Sequence, residues 1–487
     1  MLSSPPATSS SPVQPSHTVT SDPRHVTMET YWTEVQSIEE EKEGEEEEDE
    51  EDERKSMDEV ELEEAWLTEA GLFSLVMGSA EDTDPLPAGA LLSTLTRQQV
   101  ATVKRRLDNY NETLRKRNRQ PIRDVRDVFA QVRHWDVPWV CVSVGYFAPV
   151  SPSQGLTCVD DLSSCDLIQL SFISHIELST FLLALGIQTK RTRPPRRRTR
   201  DGGVFGIPLD SLLENDRKKF PGAKVPVVFQ KLLTVLEQTG LQTEGILRVP
   251  GSAARLKHLR RELDRCGWGL DWSTVRPVEA AGLLKLFIRE LPIPLLTHTH
   301  LSTYRCVLGI SAVVHQVQAL QLLSLLLPEA HRDVLGALLV FLRKVVSHQD
   351  QNRMSLWNVS MVMAPNLFAW RQRGNKRSVA KQREEMEEAV GGAHLIRLMI
   401  IHQDLLWTVP NFLLSQVRQM NQASNQKQSG LSRTRRLPKS NETETKKLCE
   451  GVIRVHAPLH TKVSMAIQLD DQMKARDVTA RFESENR

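Results

Sequence analysis

Residues 283–296 read LLKLFIRELPIPLL, and this stretch decides the fold of the region around it. Its apolar side chains recur at steps of three and four, which predicts a helix with one buried face. These side chains are Leu284, Phe287 and Leu291. Lys285 and Arg289 stand four residues apart and therefore share another face. Pro292 ends the helix, because proline has no amide hydrogen and disfavours a helical residue before it.

Helical patterns of the same kind continue on both sides of this stretch. The predicted helices cover residues 226–240, 252–266, 278–290, 314–326, 329–348, 355–363 and 384–406. The sequence contains no run of alternating strands in this region. We therefore predict that the fold is all-α, with a helical bundle over residues 204–408.

A second motif lies upstream, where residues 244–252 read EGILRVPGS. Gly245 and Gly251 allow backbone geometry that other residues resist, and Pro250 stiffens the segment. This pattern predicts a shaped loop that presents Arg248. Such an arginine can be a structural ion-pair partner, a phosphate binder or a finger inserted into the nucleotide site of another protein. The loop by itself leaves these alternatives open.

A third motif lies downstream, where residues 358–368 read NVSMVMAPNLF. The pattern predicts an apolar helix that runs into Pro365 and is followed by the polar Asn366. An asparagine in this position can bridge backbone groups of a partner loop.

Together the three motifs resemble the RhoGAP domain, the module that accelerates GTP hydrolysis by Rho-family small GTPases. The resemblance covers roughly residues 205–407. It implies a helical fold and an arginine finger at Arg248, supplied in trans to the GTPase. It also implies that Arg289 braces the finger loop and that Lys285 contacts the GTPase. Asn366 is then expected to bond the backbone of a switch region or the finger loop itself.

Some positions depart from the pattern of the family without removing a charged group. Leu247 stands where phenylalanine is usual, and Pro250 stands where serine is common. Gly282 lies inside the basic helix and should cost it about 1 kcal/mol relative to alanine. Residues 283–294 are most similar to a RhoGAP subgroup with long N-terminal extensions that acts on actin organisation. This similarity favours Rho itself as the partner over the Rac and Cdc types.

The expected function is therefore that of a GTPase-activating protein, which converts Rho-family GTPases to the GDP-bound state. The chain has no GxxxxGK[ST] phosphate-binding loop and should not hydrolyse GTP unaided. The alternative is a non-catalytic scaffold that binds Rho GTPases through the same fold. Neither a cofactor nor a metal is expected, since His298 and His300 have no nearby cysteine or carboxylate and are typical of a polar loop.

The formal net charge of +1 conceals two segregated runs of charge. Residues 39–53 are nearly all acidic, and residues 190–200 are rich in arginine. Such blocks are usually solvated linkers. The other interpretations are an intramolecular clasp, contact with an anionic membrane and a nuclear import signal for the basic run. Specific binding of nucleic acid is not expected, because no aromatic residues alternate with the arginines.

The six cysteines lack the spacing of a metal module, which favours reduced thiols and a cytoplasmic protein, with recruitment to membrane or cytoskeleton as an added hypothesis. The N-terminus lacks the apolar core of a secretory signal. No uninterrupted apolar run approaches the ~20 residues of a transmembrane helix. We therefore expect a protein without a transmembrane segment.

The remaining regions complete the predicted layout. Residues 1–58 have a disordered, acidic composition, 59–188 form a helical N-terminal region, 189–203 are a basic linker, 409–448 are a polar linker and 449–487 are a C-terminal segment. Within 59–188 we predict an isolated docking helix at 60–76, helices at 96–117 and 163–186, and β character at 139–147, giving a small subdomain with some α/β character. Residues 449–487 predict two strands of a hairpin and the start of a helix. That order resembles the opening of a ubiquitin-like, Ras-associating fold, and the alternative is a disordered tail.

Overall fold

The computed structural model describes residues 29, 31–36, 38, 58–72, 74, 88–117, 157–189, 202–368, 379–431, 452–456, 464–468, 474, 476, 477 and 480. The chain divides into two compact units. The first contains residues 1–57 and 187–406, and the second contains residues 58–186 and 407–487. The strand predicted at 139–147, the acidic run 39–53 and the basic run 190–200 lie outside the described residues.

The first unit is a helical bundle, which confirms the all-α prediction. Its helices are Leu209–Arg217, Val227–Val235, Ala253–Cys266, Pro277–Glu290, His298–Leu308, Val313–Leu325, Glu329–Ser347, Gln349–Asn352, Leu356–Leu367, Val379–Ile401 and Gln403–Leu406. A π-helical turn, Leu236–Gly240, and two 3₁₀ turns, Gly267–Gly269 and Trp272–Thr274, join some of them. The helices predicted from periodicity all form, with ends shifted by a few residues.

Pro277–Glu290 is the helix that positions the basic side chains, and its sequence explains both of its ends. Proline occupies the first helical turn, where its missing amide hydrogen costs no hydrogen bond. The carboxylate of Glu279, which is 1% exposed, accepts hydrogen bonds from the backbone and side chain of Arg276. Burial tends to raise the pKa of Glu279, but these bonds outweigh it and hold that pKa below its usual value.

The apolar face of this helix is fixed in the core of the first unit. Phe287 is buried, and its ring lies 5.5 Å from that of Phe229 and 6.2 Å from that of Phe205. Such aromatic contacts favour one orientation of the helix beyond the gain from burial alone. The rotation of the helix about its axis, and with it the direction of Lys285 and Arg289, is therefore set by the core.

Gly282 has a packing role in this helix. A Cβ added there would lie 2.8 Å from Cδ2 of Leu256, which belongs to the neighbouring helix Ala253–Cys266. The glycine thus lets Leu256 lie directly against the helix backbone. The departure from the family pattern noted in the sequence accompanies close helix packing.

Two expectations for this unit were wrong. The sequence predicted a polar loop around His298 and His300, whereas both residues lie in the first turn of helix His298–Leu308, whose buried residues include Tyr304 and Val307. The apolar helix expected to stop at residue 363 continues through Pro365 to Leu367. Pro365 cannot donate the hydrogen bond of its own turn, but the helical ladder resumes beyond it, where the amide of Phe368 bonds the carbonyl of Ala364.

The composition of residues 1–58 predicted disorder, and for residues 31–36 the structure differs. These residues are helical and belong to the first unit. Tyr31 is 7% exposed and Glu34 is 5% exposed, and the two stand three residues apart on one helical face. Apolar and aromatic side chains within YWTEVQ supply the local burial that the surrounding acidic chain lacks.

The second unit contains helices and one hairpin. Its helices are Glu59–Glu69, Ala88–Thr94, Arg97–Lys116, Ser164–Ala184 and Asn411–Leu431, with a 3₁₀ turn at Val159–Asp161. Thr96 caps Arg97–Lys116 through a capping box with Gln99. The helix expected to be isolated is packed, since Trp66 is 2% exposed and its Nε1 donates to Ser179 Oγ at 2.8 Å.

Residues 409–448 were predicted to be a polar linker, and the structure differs over residues 411–431, whereas residues 432–448 lie outside the described residues. Residues Asn411–Leu431 form a helix because four apolar side chains fall on one face among the asparagines and glutamines. These buried side chains are Leu413, Leu414, Val417 and Met420. The predicted hairpin is confirmed, with strands Val452–His456 and Ser464–Gln468 paired antiparallel.

One described helix, Ser164–Ala184, is long and apolar enough by length and composition alone to cross a membrane. Half of its most apolar stretch is buried inside the structure, as in the core helices of many proteins. Asp166, Gln169 and Glu177 interrupt this helix, so it is not an uninterrupted apolar run, and the absence of a transmembrane segment stays a prediction.

Candidate functional site

The loop that carries Arg248 is a tight, specifically folded turn. Its backbone enters the left-handed region at both Gly245 and Leu247, each with φ of 69°. The amides of Arg248 and Val249 both donate to the carbonyl of Gly245, at 2.9 and 2.8 Å. A Cβ at Gly245 would lie 2.6 Å from Cγ2 of Val249, so glycine is needed both for conformation and for space.

Two apolar anchors hold this loop to the core. Ile246 and Leu247 are each 0% exposed, whereas Val249 is 44% exposed. A non-glycine residue at positive φ stores strain, which persists only where the surroundings fix it. Burial of the Leu247 side chain supplies that fixation.

Asn352 is the polar anchor of the same loop, and sequence reasoning missed it. It is 0% exposed, and its carbonyl accepts the amide of Gly245 at 2.8 Å. Its Nδ2 donates to the carbonyls of Leu241 and Val345, both at 2.8 Å. One side chain thus joins the turn before the loop to the helix Glu329–Ser347. An asparagine in QDQNRM carries no sequence signal of this role, since the residues it joins are distant in sequence.

Arg248 itself lies half-buried on this rigid support. Its guanidinium forms no hydrogen bond or ion pair with any residue that the structure describes. Buried or half-buried arginines are normally paired, because their five donors fit carboxylates and phosphates. Within the part of the chain that the structure describes, the loop therefore presents a guanidinium whose donors are not taken by a protein group.

Lys285 contacts the loop that carries Arg248 through a hydrogen bond to its backbone. Its Nζ donates to the carbonyl of Leu247 at 2.9 Å, and the residue is 7% exposed. The sequence assigned the bracing of this loop to Arg289 and contact with a partner to Lys285. In the structure the 2.9 Å hydrogen bond to this loop comes from Lys285, and the bracing role of Arg289 stays a prediction. Helical spacing places Lys285 and Arg289 on one face of the helix, but it does not predict which of the two side chains reaches the loop.

Arg289 and Asn366 form the second part of the site. Nη1 of Arg289 donates to Oδ1 of Asn366 at 2.9 Å, and Nδ2 of Asn366 donates to the carbonyl of Val362 at 2.7 Å. Asn366 is 4% exposed, so its amide is held in one orientation. The sequence expected Asn366 to bond a partner or the finger loop. Among its bonds in this structure are those to Arg289 and Val362.

Glu34 completes the cluster, although it is 251 residues from Lys285 in sequence. Its Oε2 forms an ion pair with Lys285 Nζ. Its Oε1 lies 3.1 Å from Nη1 of Arg289 and accepts a hydrogen bond from Nδ2 of Asn366, also at 3.1 Å. The three predicted supporting residues thus meet at one carboxylate. A weak signal for this contact is the aromatic pair Tyr31 and Trp32 within an otherwise polar segment.

The chemistry available here is electrostatic. Arg248, Lys285 and Arg289 bring three positive charges to one face, with one carboxylate between two of them. Among the described residues no group of three histidine, cysteine or acidic side chains is arranged to hold a metal ion. The arrangement suits stabilisation of negative charge on a bound partner, with Arg248 as the cation of the loop and Lys285, Arg289 and Asn366 behind it.

Comparisons with known proteins give the same direction. Residues 226–389 match the family model described as the RhoGAP domain. Residues 42–118 match the model of a Rho GTPase-activating protein 18-like, N-terminal SAM domain. Residues 452–487 match that of an RHG40-like, C-terminal ubiquitin-like domain. Sequence reasoning found the helices of the second region without a domain type, and it found the hairpin of the third.

Full-length relatives are similar over most of this chain. Rho GTPase-activating protein 18 of Mus musculus is 37% identical over 545 residues, which cover 94% of this chain and 81% of the relative. Rho GTPase-activating protein 28 of Homo sapiens is 34% identical, with 94% of this chain and 82% of the relative covered. The crystal structure of human Rho GTPase activating protein 15 is 25% identical over 42% of this chain and 92% of its own, with a TM-score of 0.37.

Proposed function

Because this chain belongs to the family of Rho GTPase-activating proteins, we propose that Arg248 is the arginine finger through which it acts. The protein stimulates GTP hydrolysis by Rho-family small GTPases. The observation that carries the proposal is that Arg248 is half-buried on a fixed loop while its guanidinium has no partner among the described residues.

The division of labour follows from what the GTPase already holds. The GTPase supplies the nucleotide, Mg²⁺ and a glutamine that positions water. Arg248 neutralises the charge that develops on the transferring phosphoryl group. A finger supplied in trans is worth about 10³ to 10⁵ in rate, or about 4 to 7 kcal/mol. The planar fork of arginine fits phosphate oxygens and the glutamine carbonyl together, which the ammonium of lysine does not.

Lys285, Arg289 and Asn366 support this finger and form the contact surface for the GTPase. Lys285 holds the loop in position through its hydrogen bond to the carbonyl of Leu247. Arg289 and Asn366 orient each other through the 2.9 Å bond between them. Their remaining donors are then available to acidic or backbone groups of a GTPase once Glu34 leaves. Charge complementarity of this kind favours encounter rate and register more than raw affinity.

The test is single-turnover hydrolysis of GTP by Rho with Arg248→Ala. Because the finger acts on the transition state more than on docking, we expect stimulated hydrolysis to fall at least about a hundredfold, with binding of GTP-loaded Rho retained. Arg261→Ala is the matched control, since Arg261 is an exposed arginine on helix Ala253–Cys266. Near-normal activity of Arg248→Ala would remove the finger assignment.

The runner-up function is a scaffold that binds Rho GTPases without catalysis. The two functions differ in the maximal hydrolysis rate at saturating protein, which a scaffold leaves at the intrinsic value. Preference for Rho over the Rac and Cdc types belongs to the proposal and is decided by the same assay run across the three types. Recruitment to anionic membranes through residues 190–200 also belongs to it, since a run of arginines is attracted to anionic lipid.

A further inference from the structure

We propose that residues 31–36 are an autoinhibitory segment, in which the carboxylate of Glu34 occupies the surface that otherwise receives the GTPase. The inference rests on the proposed function, because it concerns access to the same site. Its basis is that one side chain of the chain itself binds Lys285, Arg289 and Asn366 at once.

Glu34 already occupies the side chains that a GTPase would bind. Glu34 is 5% exposed, and Lys285 and Asn366 are 7% and 4% exposed. Arg289 retains only 11% side-chain exposure. A GTPase that uses these donors cannot reach them while the carboxylate stays in place. Binding of the GTPase and binding of the segment therefore exclude each other.

The contact between residues 31–36 and the site is of a kind that can dissociate. The segment buries one face, formed by Tyr31 and Glu34, whereas Thr33 and Gln36 are exposed. The ion-paired carboxylate of Glu34 adds little net energy to this contact, because desolvation of the charges offsets much of their attraction. Residues 39–53, which follow the segment in the chain, are acidic and offer few apolar side chains for packing. The contact is thus specific in geometry and modest in strength.

Glu34 takes the place of acceptor groups that a GTPase would bring to the site. The site offers a lysine ammonium, an arginine guanidinium and an asparagine amide, all donors, to a single acceptor group. An acidic side chain or a row of backbone carbonyls on a GTPase satisfies the same donors. Glu34 is therefore a stand-in for the acceptor groups of the partner. Loss of Glu34 leaves the donors ready for the GTPase and leaves Arg248 untouched.

The magnitude follows from population arithmetic. A segment that covers the site for about 80 to 90% of the time lowers the apparent affinity for the GTPase about five- to tenfold. The maximal rate at saturating GTPase is unchanged, because the finger is the same in the open state. The signature of autoinhibition is accordingly a change in KM without a change in kcat.

The experiment compares the full chain with Glu34→Gln and with Glu29→Gln. Both variants remove one negative charge from this part of the chain, but Glu29 lies just before the segment and is exposed, whereas Glu34 is buried in the site. We expect Glu34→Gln to lower the KM for GTP-loaded Rho about fivefold or more at constant kcat. Glu29→Gln should leave both constants unchanged. A peptide of residues 29–38 should inhibit the Glu34→Gln protein, and the same peptide with glutamine at position 34 should not.

Three results would overturn the inference. One is an equal KM for Glu34→Gln and the unchanged chain, and another is an equal fall in KM for Glu29→Gln, which would be a general charge effect. The third is a fall in kcat with Glu34→Gln, which would make Glu34 a structural support of the site. Each is distinguishable from failure of the finger assignment. That assignment is tested separately by binding of GTP-loaded Rho to Arg248→Ala with and without Glu34→Gln, where the double variant should bind about fivefold more tightly although neither protein is catalytic.

Discussion

At the scale of single residues, the site depends on side chains that the sequence marks unequally. Arg248, Lys285, Arg289 and Asn366 lie in motifs whose residue types and spacing point to them, and the structure brings the last three into one cluster. Asn352 and Glu34 carry no comparable signal. Their roles arise from contacts between parts of the chain that are far apart in sequence, which periodicity and local propensity do not encode.

Gly245 gives a prediction at this scale. Alanine there must adopt a left-handed backbone, at about 1 to 2 kcal/mol, and its Cβ would meet Val249 at 2.6 Å. A displacement of about 1 Å in a catalytic group costs on the order of 10² in rate. We expect Gly245→Ala to lower kcat at least tenfold, as measured by single-turnover hydrolysis with GTP-loaded Rho.

The matched control is Gly222→Ala. Gly222 also has positive φ, of 87°, but an added Cβ meets nothing within 4 Å. The two variants share the backbone strain and differ in the loop that bears it. Equal kcat values for the two would mean that the geometry of the Arg248 loop does not limit catalysis.

At the scale of elements, periodicity predicted most helices of the first unit because their apolar faces are long and regular. It failed where the amphipathic stripe is short, as in Leu209–Arg217 and His298–Leu308. It failed again for Asn411–Leu431, where asparagine and glutamine conceal the stripe. Whether such a sequence is a linker or a helix is decided by tertiary burial, which overrides weak local preference.

The helix Asn411–Leu431 gives the prediction at this scale. Leu413 is 0% exposed, and truncation of a buried leucine to alanine costs about 2 to 5 kcal/mol. We expect Leu413→Ala to lower the free energy of unfolding of the second unit by that amount. Hydrogen exchange in helices Glu59–Glu69 and Arg97–Lys116 measures it, because both belong to that unit.

Leu185→Ala provides the comparison, since Leu185 is 36% exposed at the end of helix Ser164–Ala184. Its effect should stay within about 0.5 kcal/mol, as is usual for surface positions. If both variants exchange at the rate of the unchanged chain, residues 411–431 are a linker after all.

At the scale of the whole molecule, the sequence alone is sufficient to identify the type of protein, because three motifs in a fixed order carry that information. What it did not contain is the state of the site. A segment with the composition of disorder supplies a carboxylate that joins the supporting residues. Composition averages over a window and so misses six residues whose burial depends on a distant surface.

The central claim is that Arg248 acts on the transition state of GTP hydrolysis. Transition-state analogues bind far more tightly than substrates only where the enzyme's transition-state contacts are intact. The most direct measurement is binding of the full chain to GDP-loaded Rho in the presence and absence of aluminium fluoride, which mimics the transferring phosphoryl group. We predict that aluminium fluoride raises the affinity of the unchanged chain at least about a hundredfold and leaves that of Arg248→Ala nearly unchanged. An equal gain in affinity for both proteins would contradict the account.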